Sequence, residues 1–375
     1  MIVAYITSHG FGHAVRACEA LRGLAAEITL TLRTSVPEWF LQSRMGGRPF
    51  DYAPAEFDCG TLGPDSRRID VRQTLEAIEP ILDANDARLE DEAEWLRRVG
   101  ARLVVSDVPA LPLAAARRAG IASILVANFT WSEIYRYLLE VESPPAALAG
   151  RLRATIERLD AQYAAGDLLL IPGLEIPMRA CRAQEKIGLI ARRGTPRREA
   201  LARALGLDPA RPIYLVYLGR EGLSDMRWER RARLGGVQLV GYLVPPPAVG
   251  IIHPLPESVM SHADAAASVD GVIAKAGYGI CCECVATGTP LLYPPRPQFA
   301  EMTAVDRDMA AWGGGLAMPE GDFLNLEWRP DLERLAGLRR PPEALDCSGG
   351  AACAAHFTRC WRGGKPGAPV DPIGR

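Results

Sequence analysis

Lysine is almost absent from this chain. Of 43 basic residues in 375, only Lys186, Lys275 and Lys365 are lysines. The basic residues are matched by 45 acidic ones, leaving a net charge of −2, so the global positive field that would draw in nucleic acid is missing and that partner is excluded. Also missing is any apolar run of the roughly 18–20 residues needed to span a bilayer, and any charged leader followed by a long apolar region. We therefore expect a cytoplasmic protein with no transmembrane segment, leaving peripheral contact with a membrane surface open. The nine cysteines, an odd number without an export signal, suit reduced thiols better than a disulfide framework. Neither Cys281, Cys282 and Cys284 nor the set Cys347, Cys353, His356 and Cys360 has paired C-x-x-C spacing. No metal and no cofactor are expected.

What the chain does have is length, 48% hydrophobic residues, and a repeated alternation of strand-like and helical patterns. That alternation predicts parallel sheets covered by helices, and 375 residues are too many for one ordinary core. In the first half the expected strands are Ile2–Thr7, Glu27–Arg33, Leu103–Ser106, Ile121–Ala127 and Asp167–Ile171, with a long amphipathic stretch over 70–98. The Pro- and Gly-bearing segment over 172–188 reads as a connector, after which the alternation restarts. We place one α/β domain at 1–180 and a second at 181–340, followed by a helical segment at 341–362 and a disordered tail at 363–375.

The segment SHGFGH, residues 8–13, lies between the first strand and an amphipathic helix. Gly10 and Gly12 let a ligand approach the main chain, and the free N–H groups at a helix start favour an anion. His9 and His13 at its mouth can act as base or hydrogen-bond donor near neutral pH. The same residues also fit a plain tight turn with a histidine cap. By the rule that ligands bind beyond the carboxyl ends of parallel strands, Asp107, Asn128 and Trp131 belong to the same cleft. Asp107 could equally be a helix cap, and Trp131 either a sugar-stacking face or core.

The second half carries a matching feature. A strand ending at Ala274 enters Lys275-Ala276-Gly277-Tyr278-Gly279 and then a helix. Backbone N–H groups there can cradle a diphosphate, Lys275 can add charge, and Glu283, one turn into the helix, can accept hydrogen bonds from vicinal ribose hydroxyls. Glu283 as a solvated helix residue is the competing possibility. Another glycine loop, beginning at Gly219, follows the strand Ile213–Leu218.

A glycine loop, a helix with this glutamate, then G-x-P and a strand resembles the nucleotide-sugar half of GT-B glycosyltransferases. SHGFGH resembles the acceptor-side loop of the peptidoglycan UDP-N-acetylglucosamine transferase group. YITSHGFGHAVRACEALRGL, LVVSDVPALPLAAARRAGIASILVANFTWSEIY and the stretch from Lys275 to Pro290 resemble the glycosyltransferase-like N-terminal region of plant L-arabinokinases and their free-standing bacterial relatives, to about residue 320. The kinase half of that family has no counterpart here.

The resemblance implies a GT-B fold, two Rossmann-like parallel-sheet domains facing a cleft, and a metal-independent glycosyltransferase that moves a sugar from a nucleotide-diphosphate sugar, a UDP-sugar first, to an unidentified acceptor. It implies Gly10, Gly12 and His13 at the reacting sugar, Gly277 and Gly279 at the diphosphate, and Glu283 at the ribose. Gln298 and Glu301 are the candidates for the donor sugar. Tyr278 between the glycines, and Cys281 where a hydroxyl residue commonly meets phosphate, depart from the pattern. They keep open a nucleotide-sugar-binding module without turnover; a GT-B-fold sugar epimerase is the third alternative.

Overall fold

The computed structural model describes residues 1–64, 68–218, 225–244, 246–338 and 345–367. The first half is a seven-stranded, wholly parallel sheet. Its strands are β1 (Ile2–Ile6), β2 (Leu30–Arg33), β3 (Asp51–Ala53), β4 (Leu103–Asp107), β5 (Ala122–Val126), β6 (Leu168–Ile171) and β7 (Gln184–Lys186), in the order 3-2-1-4-5-6-7. The central strands read IVAYI and LVVSD and are buried on both faces, which is what helices packed on both sides of a parallel sheet require. The covering helices are α1 (Phe11–Leu21), α2 (Glu38–Arg44), α3 (Val71–Arg98), α4 (Leu111–Ala119), α5 (Trp131–Glu142) and α6 (Ala146–Tyr163).

The second half repeats the plan. After α7 (Arg198–Leu205), strands β8 (Ile213–Tyr217), β9 (Gln238–Gly241), β10 (Ile252–Pro254), β11 (Gly271–Ala274), β12 (Leu291–Tyr293) and β13 (Gly315–Ala317) form a parallel sheet in the order 10-9-8-11-12-13. Helices α8 (His262–Ser268), α9 (Tyr278–Thr287), α10 (Glu301–Trp312), α11 (Glu320–Leu324) and α12 (Arg329–Ala336) belong to this half. In each sheet the strand order reverses between the first and fourth strands of the half. A crevice opens at such a point beyond the carboxyl ends of the strands. SHGFGH follows β1 at one reversal, and the Lys275 loop follows β11 at the other.

One boundary differs from the sequence-based expectation. The first sheet does not end at 180, because Gln184–Lys186 pairs in parallel with Leu169–Ile171. That edge strand, QEK, has no apolar run to announce it. The last helix, α13 (Gly349–Trp361), returns to the first domain, where Cys353, Phe357 and Cys360 share a core with Ile2, Ala4 and Leu21. Residues 368–375 of the expected tail, and Gly219, lie outside the described residues. All nine cysteines are free, and among the described residues no helix is long and apolar enough to cross a membrane.

Candidate functional site

The turn after β1 is built around Gly10, whose φ and ψ of 147° and 147° fall in a region open only to glycine. Gly10 caps α1 with no side-chain hydrogen bond, and no acidic residue stands in the first turn. The helix therefore starts with unsatisfied N–H groups, which attract an anion. Among the described residues, nothing beyond the adjoining backbone lies within 4 Å of where a Cβ would sit on Gly10 or Gly12, so both face open space.

His13 stands one turn into α1. Its Nδ1 lies 2.9 Å from Asp107 Oδ1, and Asp107, 2% exposed, ends β4 beside the end of β1. Arg16 grips the same carboxylate in bidentate fashion, Nε to Oδ2 at 2.8 Å and Nη2 to Oδ1 at 2.6 Å. Burial works to raise the Asp107 pKa, but Arg16 and His13 outweigh it and hold the carboxyl below its ordinary value. An ionised carboxylate only accepts, so the Nδ1 of His13 donates to Asp107, and Nε2 is the ring nitrogen left for a substrate. The next residue, Val108, has φ of 81°, a strained angle for a β-branched side chain, at the point where Asp107 is aimed at His13.

His9 is placed differently. Its Nδ1 meets the Cys59 carbonyl at 3.1 Å, its ring packs edge-on against Trp131 at 5.1 Å, and burial pushes its pKa down to about 4. Gly60 makes room for it: a Cβ there would lie 2.0 Å from His9 Nδ1, and φ is +72°.

Trp131 is core rather than an open platform. It is 2% exposed, with its indole N–H donating to Asp58 at 2.8 Å. Asp58 also accepts from Thr7 at 2.5 Å, and burial raises its pKa to about 6.

Across the cleft, α9 also begins uncapped, at Gly277, with no acidic residue in its first turn. Gly277 has φ of −87° and Gly279 is helical, so neither backbone requires glycine. Among the described residues, nothing beyond the adjoining backbone lies within 4 Å of either would-be Cβ. The missing side chains leave space at a helix N-terminus.

Lys275 and Arg296 flank this loop, both near enough to His9 to oppose its protonation. Arg296 donates to the Lys275 carbonyl at 3.4 Å, and burial lowers its pKa to about 10. Arg296, in PPRPQ, gave no local pattern by which sequence alone would single it out.

Glu283 sits on α9 facing Arg192, Arg44 and Asp264, and burial lifts its pKa to about 7. Among the described residues no hydrogen bond reaches its carboxylate. A half-buried carboxylate without a protein donor is left to water or a ligand for its hydrogen bonds. Tyr217, Tyr242 and His262 form an aromatic group nearby, with the His262 ring stacked 3.7 Å from Tyr242 and edge-on to Tyr217 at 4.6 Å. Their separation in sequence hid this group.

Other expected donor contacts are engaged between the halves. The Tyr278 hydroxyl donates to Pro172 O at 2.9 Å and accepts from Ile190 N–H at 3.0 Å, and the ring lies under Arg16 at 4.9 Å. It locks the connector instead of facing the loop's open side. Gln298 accepts from Ile69 N–H and donates to Glu142, both at 2.8 Å, so its amide is spent on the first domain. Glu301 accepts from Asn128 at 3.0 Å, while Asn128 itself receives Arg16 Nη1 at 2.6 Å. Cys281 is fully buried. Arg44 reaches Glu257 at 2.7 Å across the cleft. The triplet Asp306-Arg307-Asp308 is a D-x-D pattern but lies inside α10, with Asp306 receiving the Tyr293 hydroxyl and Asp308 paired to Arg307. No group of three or more His, Cys, Asp or Glu among the described residues is placed to hold a metal ion.

No known family profile matches the chain. It is homologous to L-arabinokinase of Arabidopsis thaliana, 28% identical over 345 residues, which cover 89% of this chain and 32% of that protein. It is also homologous to the UDP-N-acetylglucosamine–N-acetylmuramyl-(pentapeptide) pyrophosphoryl-undecaprenol N-acetylglucosamine transferase of Clavibacter michiganensis subsp. michiganensis, 30% identical over 242 residues, 57% of this chain and 63% of that one. The chain thus spans about a third of the plant protein and under two thirds of the bacterial one. Among solved structures, the glycotransferase of kitacinnamycin superposes with a TM-score of 0.61 at 17% identity, covering 98% of this chain and 96% of that one. An indoxyl-glucosylating UDP-glucosyltransferase from Polygonum tinctorium gives 0.60 at 15% identity, covering 100% and 95%. The calicheamicin glycosyltransferase gives 0.58 at 16%, covering 97% and 95%. The fold is GT-B.

Proposed function

We propose that this protein is a glycosyltransferase that takes a sugar from a nucleoside-diphosphate sugar, a UDP-sugar first, and passes it to an acceptor hydroxyl. The observation that carries the proposal is one juxtaposition. A histidine with its Nδ1 fixed on an ionised aspartate faces, across one cleft, an uncapped helix N-terminus whose glycines leave open space beside a glutamate whose carboxylate receives no hydrogen bond among the described residues.

The donor lies on the second half. The first-turn N–H groups of α9, with Lys275 and Arg296, hold the diphosphate, and Glu283 accepts from the ribose. His13 Nε2 takes the proton of the acceptor hydroxyl as its oxygen bonds to the anomeric carbon. The bond from that carbon to phosphate breaks, and the electron pair leaves on the diphosphate. Charge develops on the departing phosphate, where preorganised donors stabilise it most. Asp107 holds the imidazole tautomer and offsets the positive charge formed on it. Asn128 and Glu301 join the two halves behind the base, Gly10 and Gly12 keep the acceptor side open, and His9, uncharged, walls the turn. Nine free cysteines suit a reducing compartment, and we place the reaction in the cytoplasm.

The test is calorimetry with a panel of UDP-, GDP- and dTDP-sugars, followed by an assay of donor hydrolysis. Binding with turnover supports the transferase. Binding without any turnover indicates a sugar-nucleotide-binding module, conversion to another nucleotide sugar without acceptor indicates an epimerase, and no binding by any donor refutes all three.

A further inference from the structure

We infer that Arg16 is a positioning residue that keeps His13 an uncharged base, and that it is held in place from the opposite half of the molecule. The inference rests on His13 being the base proposed above. An ionised Asp107 facing His13 alone would favour the imidazolium and leave less free base near neutral pH. Arg16 places a full positive charge on the same carboxylate, with Nη2 and His13 Nδ1 sharing Asp107 Oδ1 and standing 3.2 Å apart. Arg16 is 3% exposed, so water screens little of this charge. The other charged or titratable groups near His13 are His9 in its own turn and Asp58 from the segment after β3, the latter already engaged by Thr7 and Trp131. From the second half, Lys275 and Arg296 act on His9, while Tyr278 and Glu301 act on Arg16.

The guanidinium has no freedom of its own. Nε and Nη2 are spent on Asp107, Nη1 donates to Asn128 at 2.6 Å, and the Tyr278 ring lies 4.9 Å beneath. Two of those supports depend on the second half. Tyr278 opens α9, and Asn128 is tied to Glu301 at the start of α10. The place of Arg16 on Asp107 is therefore braced by the docking of the two halves, a contact between α1 and α9 that neither half makes alone.

The experiment needs no substrate. Diethyl pyrocarbonate acylates neutral imidazole, so the pH dependence of modification at the His13 peptide, read by mass spectrometry on the full chain, gives the His13 midpoint. Arg16→Gln is expected to raise that midpoint by about one unit, roughly a tenfold loss of neutral imidazole well below it. Arg16→Lys, which restores the charge, should return it to within a few tenths of wild type.

The double variant Arg16→Gln/Asp107→Asn removes both members of the buried pair and leaves no orphaned charge. It should titrate close to wild type. If Asp107 alone set the basicity and Arg16 were only packing, the double variant would titrate well below wild type, and Arg16→Gln would leave the midpoint unchanged. Either result overturns the inference, even if Arg16→Gln alone does not fold. Failure of the transferase proposal would appear separately, as wild-type protein that binds no nucleotide sugar.

Discussion

Lowering the pH from 8 to 6 is expected to weaken the binding of a UDP-sugar by about threefold to tenfold through Glu283 alone, tenfold being the limit in which the protonated carboxyl contributes nothing. Burial lifts this carboxyl to about 7, against the opposing pull of Arg192 and Arg44. Only the ionised form can accept from both ribose hydroxyls, so apparent affinity follows the ionised fraction: about nine-tenths at pH 8, half at pH 7 and one-eleventh at pH 6. The sign is fixed by the direction of the shift: a carboxylate with a raised pKa is uncharged below it, and binding must then also remove a proton.

An intact UDP-sugar is the right probe, because free UDP carries a terminal phosphate that itself titrates near pH 6, by analogy with phosphate monoesters. Calorimetry at pH 6, 7 and 8 on wild type and Glu283→Ala gives the answer. The variant should bind more weakly at pH 8 by about 1–3 kcal/mol, roughly 5- to 150-fold, through loss of hydrogen bonds to a charged acceptor. Its affinity should also be flat with pH. A wild-type affinity that does not change between pH 6 and 8, or a variant that keeps the wild-type slope, would refute the assignment of Glu283 to the ribose.

Further outcomes follow from the same geometry. Gly60→Ala forces a side chain into the His9 ring at a left-handed backbone position; it should cost at least about 1–3 kcal/mol in a denaturant titration, and retained wild-type stability would contradict the close packing of His9. His9 is held below its ordinary pKa, so the stability it contributes is present above about pH 6.5 and is lost as pH falls toward about 4. Thermal melts across that window should show wild type losing more stability than His9→Gln.

The central strands and both glycine loops were legible in the sequence because each rests on local pattern: apolar runs of four or five residues, glycines, and the helix that follows. The three-residue edge strands DYA, QEK and GLA were not, since an edge strand needs no apolar run and is defined by its neighbour. His13 and Asp107 could each be named as candidates, but their pairing across 94 positions could not. Arg16 reads in sequence as a solvent-side charge on an amphipathic helix, and it is tertiary contacts with Asp107, Asn128 and the Tyr278 ring of the second half that bury it.

Trp131 reads as either a sugar-stacking face or core, and Tyr278 and Gln298 as donor contacts, because of their neighbours in sequence. Their polar atoms are instead claimed by Asp58, by the connector and by the first domain. Which face of a side chain is left over for a ligand depends on tertiary hydrogen bonds, and local spacing does not encode those.

The central claim is a division of labour, with base chemistry on the first half and nucleotide binding on the second. It is tested most directly by titrating one nucleotide sugar into wild type and His13→Ala while following donor consumption in the same samples. The account predicts unchanged donor affinity and turnover lost by at least about 100-fold, the scale of a removed general base. A His13→Ala protein that is folded and fully active, or one that turns over normally but no longer binds the donor, would contradict it.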